Sequence, residues 1–315
     1  MKNISLLQDS VYKNSSIKIK LEAQPIQERF VVFSDLDRTF AYEGKFNETA
    51  ELYYALEELN IPICICTGQD LPGTLITMSP LFPDICITNV GTEIWIKNSK
   101  GYRLDKDFKT LLLNNWNYKT IFAEVNKVAE EITQIQIKSS DLGECDFKIS
   151  LSVGGERNLL KKIVSSSAKF KNVGFVVSND WEQSGRFCLD LVPKVNKRAG
   201  KNLSVYYLQQ KLGKIESIVA GDDLNDAQML FKSGSHAILV GNSTKELFSY
   251  ASKFLAKNRL NRKVYIASKE EIGPRAILNA ISDDNFQPNL AEKMRKIKFG
   301  KNLKTLSKGG KEAYQ

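Results

Sequence analysis

The chain has 315 residues, 42% of them hydrophobic, enough to bury a core in one large domain or two modest ones. Its longest apolar runs, such as 61–66 and 237–240, fall far short of the ~20 residues of a membrane-spanning helix, and the opening MKNISLLQDS has no signal-peptide core, so a soluble, cytoplasmic protein is expected. The formal charge of +9 suggests nucleic acid only until its distribution is read: residues 291–315 hold eight Lys/Arg against Glu292 and Glu312, so the basicity belongs mainly to a tail, where docking on RNA or anionic lipid is the minor reading.

Residues 1–29 are mixed polar sequence and read as an arm of uncertain order. From residue 30 short β-branched runs alternate with helical segments, the pattern of a parallel sheet wound with helices. Strands are expected at 30–34, 61–66 and 84–88, and a helix at 48–59 from the spacing of Tyr53, Leu56 and Leu59. The middle differs: a helix over 118–132, an alternating, solvent-faced strand over 147–153, a helix at 158–167, and strands at 173–177 and 186–192. This predicts a small β-rich domain, 113–189, set into a sheet domain formed by 30–112 and 190–282, with a basic tail over 283–315. The second half of the sheet domain follows as a helix at 203–212, with Val205, Leu208 and Leu212 on one face, and strands at 217–220 and 237–240.

Five cysteines is an odd number, and Cys64, Cys66 and Cys86 lie in apolar runs, so reduced structural thiols are expected; no ligand set for zinc surrounds the C-x-C pair. The single histidine, His236, begins the apolar run HAILV and reads as structural, which removes Ser-His-Asp and Cys-His chemistry.

The strongest signal is VVFSDLDRTF, an apolar strand that delivers Asp35, Asp37 and Thr39 at its carboxyl end, where open α/β sheets bind ligands. A carboxylate freed of its proton near a divalent cation can attack phosphorus, and a second can protonate the departing alcohol and later deprotonate water. The strand at 217–220 ends in GDDLND, which adds Asp222, Asp223, Asn225 and Asp226, hard oxygen donors of the kind Mg²⁺ takes. The strand at 61–66 ends in Thr67-Gly68, a hydroxyl and an open backbone N–H suited to a phosphoryl oxygen.

These motifs, in this order, resemble the haloacid dehalogenase superfamily of phosphotransferases: D-x-D-x-T at Asp35, Asp37 and Thr39, a strand-ending Thr67, and G-D-D-x-x-D at Gly221, Asp222 and Asp226. The resemblance implies a Rossmann-like α/β core with an inserted α+β cap. It makes Asp35 the nucleophile and a metal ligand, Asp37 the acid/base and a ligand through its backbone carbonyl, and Asp222 a direct Mg²⁺ ligand, with Asp226 completing the set. Thr39, Gly68 and Asn225 are candidate substrate contacts. The family's motif lysine opens a helix K-x-x-A-L-x-x-L, which Lys201 fits; Lys197 fits the distance from Pro193 better and the helix worse, so Lys201 is favoured.

Across 28–282 the likeness is greatest to sucrose-phosphate phosphatases, and it implies that Lys148 and Glu144 of the cap meet sugar hydroxyls. Two positions depart from the family: Arg38 stands where glycine is usual, and Gln69-Asp70 where an arginine is usual after Thr67-Gly68. The expected activity is Mg²⁺-dependent hydrolysis of a sugar phosphate such as sucrose 6-phosphate. Trehalose phosphate, mannosyl-3-phosphoglycerate or a mutase reaction are the enzyme alternatives, and nucleic-acid binding through the tail is the remote one. No oligomeric state is assigned.

Overall fold

The computed structural model describes residues 12, 14–25, 28–132, 134–138, 147–154, 171–179, 185–213, 215–258 and 262–297. In chain order its first elements are α1 (Ser16–Ala23), β1 (Phe30–Asp35), α2 (Phe46–Glu58), β2 (Ile63–Cys66), α3 (Leu71–Met78), β3 (Ile85–Thr88), β4 (Glu93–Asn98), β5 (Gly101–Leu104) and α4 (Lys106–Leu113). A second group follows: α5 (Tyr118–Glu131), β6 (Ile135–Ile137), β7 (Ile149–Gly154), β8 (Val173–Asn179), β9 (Arg186–Val195) and β10 (Arg198–Ala199). The chain then gives α6 (Gly200–Leu212), β11 (Glu216–Gly221), α7 (Ala227–Lys232), β12 (His236–Leu239), α8 (Lys245–Lys257), β13 (Val264–Ile266), α9 (Pro274–Ile281) and α10 (Pro288–Arg295).

The larger sheet has the order β13-β12-β11-β1-β2-β3-β4-β5. It is parallel from β13 through β3 and antiparallel over the β3-β4-β5 edge. All six residues of β1 are buried because helices cover both faces. Val31 and Phe33 belong to one core cluster with Leu203, Val205 and Leu208 of α6; Phe30 and Val32 belong to the other with Leu52 and Leu56 of α2 and Ile277 of α9. Burying each such side chain contributes about 1.5–3 kcal/mol. From β1 the chain winds outward through β2 and β3, and after the second group it returns on the opposite side through β11 and β12. Strand order therefore reverses between β1 and β11, and at such a switch point the carboxyl ends open a crevice.

The smaller sheet is antiparallel: β9 lies between β7 and β8, β6 extends the β7 edge, and β10 pairs with the end of β9. Three expectations fall on this part of the chain. The strand at β7 is not solvent-faced; every residue is buried, since Ser150 donates to Asp190 (2.6 Å) and Arg186 donates to Ser152 Oγ (2.8 Å), which satisfies its polar face internally. The boundary expected at 189 falls inside β9, whose buried Val192 and Val195 carry the strand onward. The helix expected at 158–167 lies outside the described residues.

The described parts of 14–28 and 283–297 are also more engaged than their composition suggests. α1 is capped by Ser15, and its Lys20 is buried between Glu57 and Asp84, 2.7 Å from the latter. α10 buries Leu290 and Met294, and three of the basic residues assigned to a tail are paired: Lys293 with Glu28, Arg295 with Asp284 and Lys296 with Glu292. His236 is buried, its Nδ1 accepting from the Lys263 N–H, and Cys64, Cys66 and Cys86 are free and buried. Among the described residues no helix is long and apolar enough to cross a membrane.

Candidate active site

β1 and β11 pair in register from Phe30–Glu216 to Ser34–Ala220, so the residues after each strand emerge side by side. Asp35 comes from the end of β1; Asp222 and Asp226 follow β11, the latter on a 3-10 turn, Leu224–Asp226. One oxygen from each of Asp35, Asp222 and Asp226 lies within 4.8 Å of the others, and all three residues are buried. Gly221 makes this approach possible, because a Cβ there would stand 2.6 Å from the Asp226 Cβ.

Lys201 enters from the first turn of α6, its Nζ donating to Asp35 Oδ1 at 2.5 Å and to Asp226 Oδ1 at 2.8 Å. Lys197 sits instead on the exposed turn between β9 and β10 with φ +67°, so the helix periodicity, not the distance from Pro193, located the ammonium. The start of α6 is seated by Gly91, φ +92°, where a Cβ would fall 2.4 Å from the Lys201 backbone nitrogen, and by Ser204, whose hydroxyl donates to the Gly91 carbonyl at 2.6 Å. The contact between them could not be read from the sequence; a glycine and a helix serine over a hundred positions later leave no local signal of their pairing.

The electrostatics follow from crowding. Desolvation, aided by the charges of Asp35 and Asp226, pushes Asp222 up to about 9 against the opposing charge of Arg38. Desolvation pushes Asp226 up to about 7 although Lys201 opposes it, and Asp35 is raised by the same cause. Burial works against the Lys201 ammonium, but the charges of Asp226 and Asp35 outweigh it and hold the group well above its ordinary value. Carboxylates this close keep protons that a cation would replace, so the donor set suits a hard divalent ion.

The remaining candidates divide. Thr39 Oγ1 donates to Asp222 at 3.3 Å, holding that carboxylate instead of facing open space. Thr67 is buried and its oxygen accepts the Gln69 N–H at 3.1 Å, which leaves its own proton to donate; Gly68 beside it is exposed. Asn225 lies on the 3-10 turn against β8, its Oδ1 buried without a partner among the described residues. Asp37 is not part of the carboxylate cluster: both its oxygens accept from Gln69 Nε2 at 3.0 Å. Its carboxyl is raised by desolvation, partly offset by that hydrogen bond and by Lys201. The metal role expected of Asp37 runs through its backbone carbonyl, and a side chain outside the cluster leaves that role open. Lys148 is buried just before β7, and Glu144 lies outside the described residues.

Comparison with known proteins fits this geometry. The model of the family described as sucrose-6F-phosphate phosphohydrolase matches residues 28–283. The chain belongs to this family, within the haloacid dehalogenase superfamily. Sucrose-phosphatase 2 of Nicotiana tabacum is 28% identical over 276 residues, covering 83% of this chain and 60% of that protein. Probable sucrose-phosphatase 3a of Arabidopsis thaliana is 28% identical over 291 residues, with 86% and 63% covered. The chain thus spans about three fifths of the length of these curated relatives. Among solved structures, the sucrose-phosphatase from Synechocystis sp. PCC6803 in complex with sucrose and phosphate shares the fold with a TM-score of 0.66 at 24% identity, over 82% of this chain and 99% of that one. A haloacid dehalogenase-like hydrolase from Bacillus subtilis follows at 0.52 and 19%, over 84% and 98%.

Proposed function

We propose that this family member is a magnesium-dependent phosphomonoester hydrolase acting on a sugar phosphate, with sucrose 6-phosphate the foremost substrate, through an acyl phosphate on Asp35. The observation that carries the reading is the convergence of Asp35, Asp222, Asp226 and Lys201 from three distant segments onto one buried point at the strand-order reversal. The sucrose-phosphatase relatives supply the substrate class.

Asp35, Asp222 and Asp226, with the Asp37 carbonyl, would hold Mg²⁺, which when bound neutralises charge on the phosphoryl oxygens. Lys201, the Thr67 hydroxyl and the Gly68 N–H would bind the phosphoryl group and stabilise the charge it gathers. An Asp35 oxygen attacks phosphorus in line while the bond to the sugar oxygen breaks, and Asp37 delivers its proton to that oxygen. Asp37, now ionised, takes a proton from water as the water oxygen bonds to phosphorus and Asp35 is released with inorganic phosphate. Lys148, just before β7, and Glu144 would meet the sugar. In a panel of phosphorylated sugars, phosphate release should depend on Mg²⁺, and Asp35→Asn should abolish it with the fold retained by circular dichroism. Full activity of that variant would refute the reading.

A further inference from the structure

Asp37 is turned out of the carboxylate cluster and into a groove of about 660 Å³, within the usual size range of small-molecule sites. Among the described residues its walls come from 37–49 and 77–81, none from the smaller sheet. Tyr42, Phe46 and Met78 offer apolar faces, while Asn47 and Thr77 offer polar groups. That mixture matches a sugar ring, which has C–H faces and a hydroxyl rim; of the charged wall residues, Arg38 is engaged by Asp222 (3.5 Å) and the Asn242 carbonyl (3.0 Å), so Asp37 and Glu43 disfavour a second anionic group.

The orientation of Asp37 is imposed by Gln69. The Gln69 N–H donates to Thr67 Oγ1 (3.1 Å), its carbonyl accepts from the Asn89 N–H (2.8 Å), and its Oε1 accepts from the Thr77 hydroxyl (3.3 Å). With Oε1 held by the Thr77 hydroxyl, the amide nitrogen is the end that faces Asp37, where it lies 3.0 Å from both oxygens.

We propose that this groove is a further subsite for a neutral sugar moiety of the leaving group, and that Gln69 is a positioning residue that turns the Asp37 carboxyl toward it. The inference rests on the reading of Asp35 and Asp37 given above. The bonding change is the one already written: Asp35 bonds to phosphorus, the phosphorus–sugar oxygen bond breaks, and the Asp37 proton passes to that oxygen inside the groove.

The test compares two substrates in the full chain with Mg²⁺: sucrose 6-phosphate, whose alkoxide must be protonated, and p-nitrophenyl phosphate, whose phenolate leaves unaided. Gln69→Leu should lower kcat on the sugar phosphate at least ~10-fold more than on the aryl phosphate, with KM nearly unmoved. Gln69→Arg, which restores a donor, should recover part of the loss. Asn47→Trp, placed to fill the groove, should raise KM for the sugar phosphate ~10-fold more than for the aryl ester. A merely structural role for either residue would affect both substrates alike. The inference is overturned if either ratio stays within about 2-fold of wild type while wild type turns over both substrates. Wild-type protein inert on both would instead bring down the phosphatase reading, and this one with it.

Discussion

Two buried lysines in this molecule each bridge two carboxylates, at opposite ends of the larger sheet's strands, and they serve different ends. At the amino end of β2 and β3, Lys20 joins Glu57 to Asp84, and Asp84 also accepts the Ile63 N–H at 2.9 Å. At the carboxyl end of β1, Lys201 joins Asp35 to Asp226, but Asp222 is pressed against the same pair. Glu57 reaches solvent, with its side chain 35% exposed, whereas the Asp226 side chain is fully buried. The comparison teaches that an ammonium between two acids is a clamp when the charges have an outlet. It becomes a reactive centre when a further buried acid brings more negative charge than Lys201 and the half-exposed Arg38 offset.

The contrast can be broken most forcefully at the lysines. Lys201→Met leaves Asp35 and Asp226 buried without a counter-charge and should destabilise the fold by about 3–5 kcal/mol, with phosphatase activity lost by ~10³-fold. Lys20→Met should show a stability loss of similar size in urea titration yet retain kcat in the folded fraction. Equal loss of kcat in both variants would erase the distinction drawn here.

A smaller effect sharpens it. Asp222 is raised to about 9, so between its unfolded value near 4 and 9 the folded chain binds a proton that the unfolded chain lacks. Stability in chelator should therefore fall as pH rises through this window. Asp222→Asn should flatten that slope and raise Tm at pH 9 by a few degrees, about 1 kcal/mol, while activity disappears. Saturating Mg²⁺ should flatten the wild-type slope too. A steeper slope in the variant, seen by calorimetry, would contradict the assignment of surplus charge.

The smallest effect has the opposite sign. His236 is lowered, mainly by desolvation, so below about 6.5 the unfolded chain takes up a proton that the folded chain refuses, and stability is lost as pH falls. His236→Gln should remove that acid-side loss, worth less than about 1 kcal/mol; identical pH profiles for the two proteins would discount it.

Much of the sheet was legible because parallel strands buried on both faces announce themselves as apolar runs, and their ends carried the acidic motifs. Lys201 was legible for a related reason: a helix packed on a sheet must repeat its apolar residues, and Val205, Leu208 and Leu212 do so. β7 was misread because alternation in FKISLSV resembles a half-exposed strand, and only its long-range partners Asp190 and Arg186 reveal that the serines are satisfied inside. Residues 15–24 looked loose because their mixed polar sequence offers little apolar surface: of its apolar residues α1 buries only Ile17 and Leu21, and the Ser15 cap and the Lys20 ion pairs do the rest. Gln69 stood out only as a departure from the family; what it holds could not be read from its neighbours in sequence.

The pairing of β1 with β11 has a consequence for biosynthesis. The acid at position 35 and the ammonium that faces it are 166 positions apart, and the last acid of the cluster lies 25 further on. A ribosome therefore releases the proposed nucleophile long before anything exists to hold a phosphate against it, and contacts of such sequence separation form late in folding. A polypeptide ending before residue 222 would lack Asp222 and Asp226 and should release no phosphate, so the proposed chemistry waits on the end of β11.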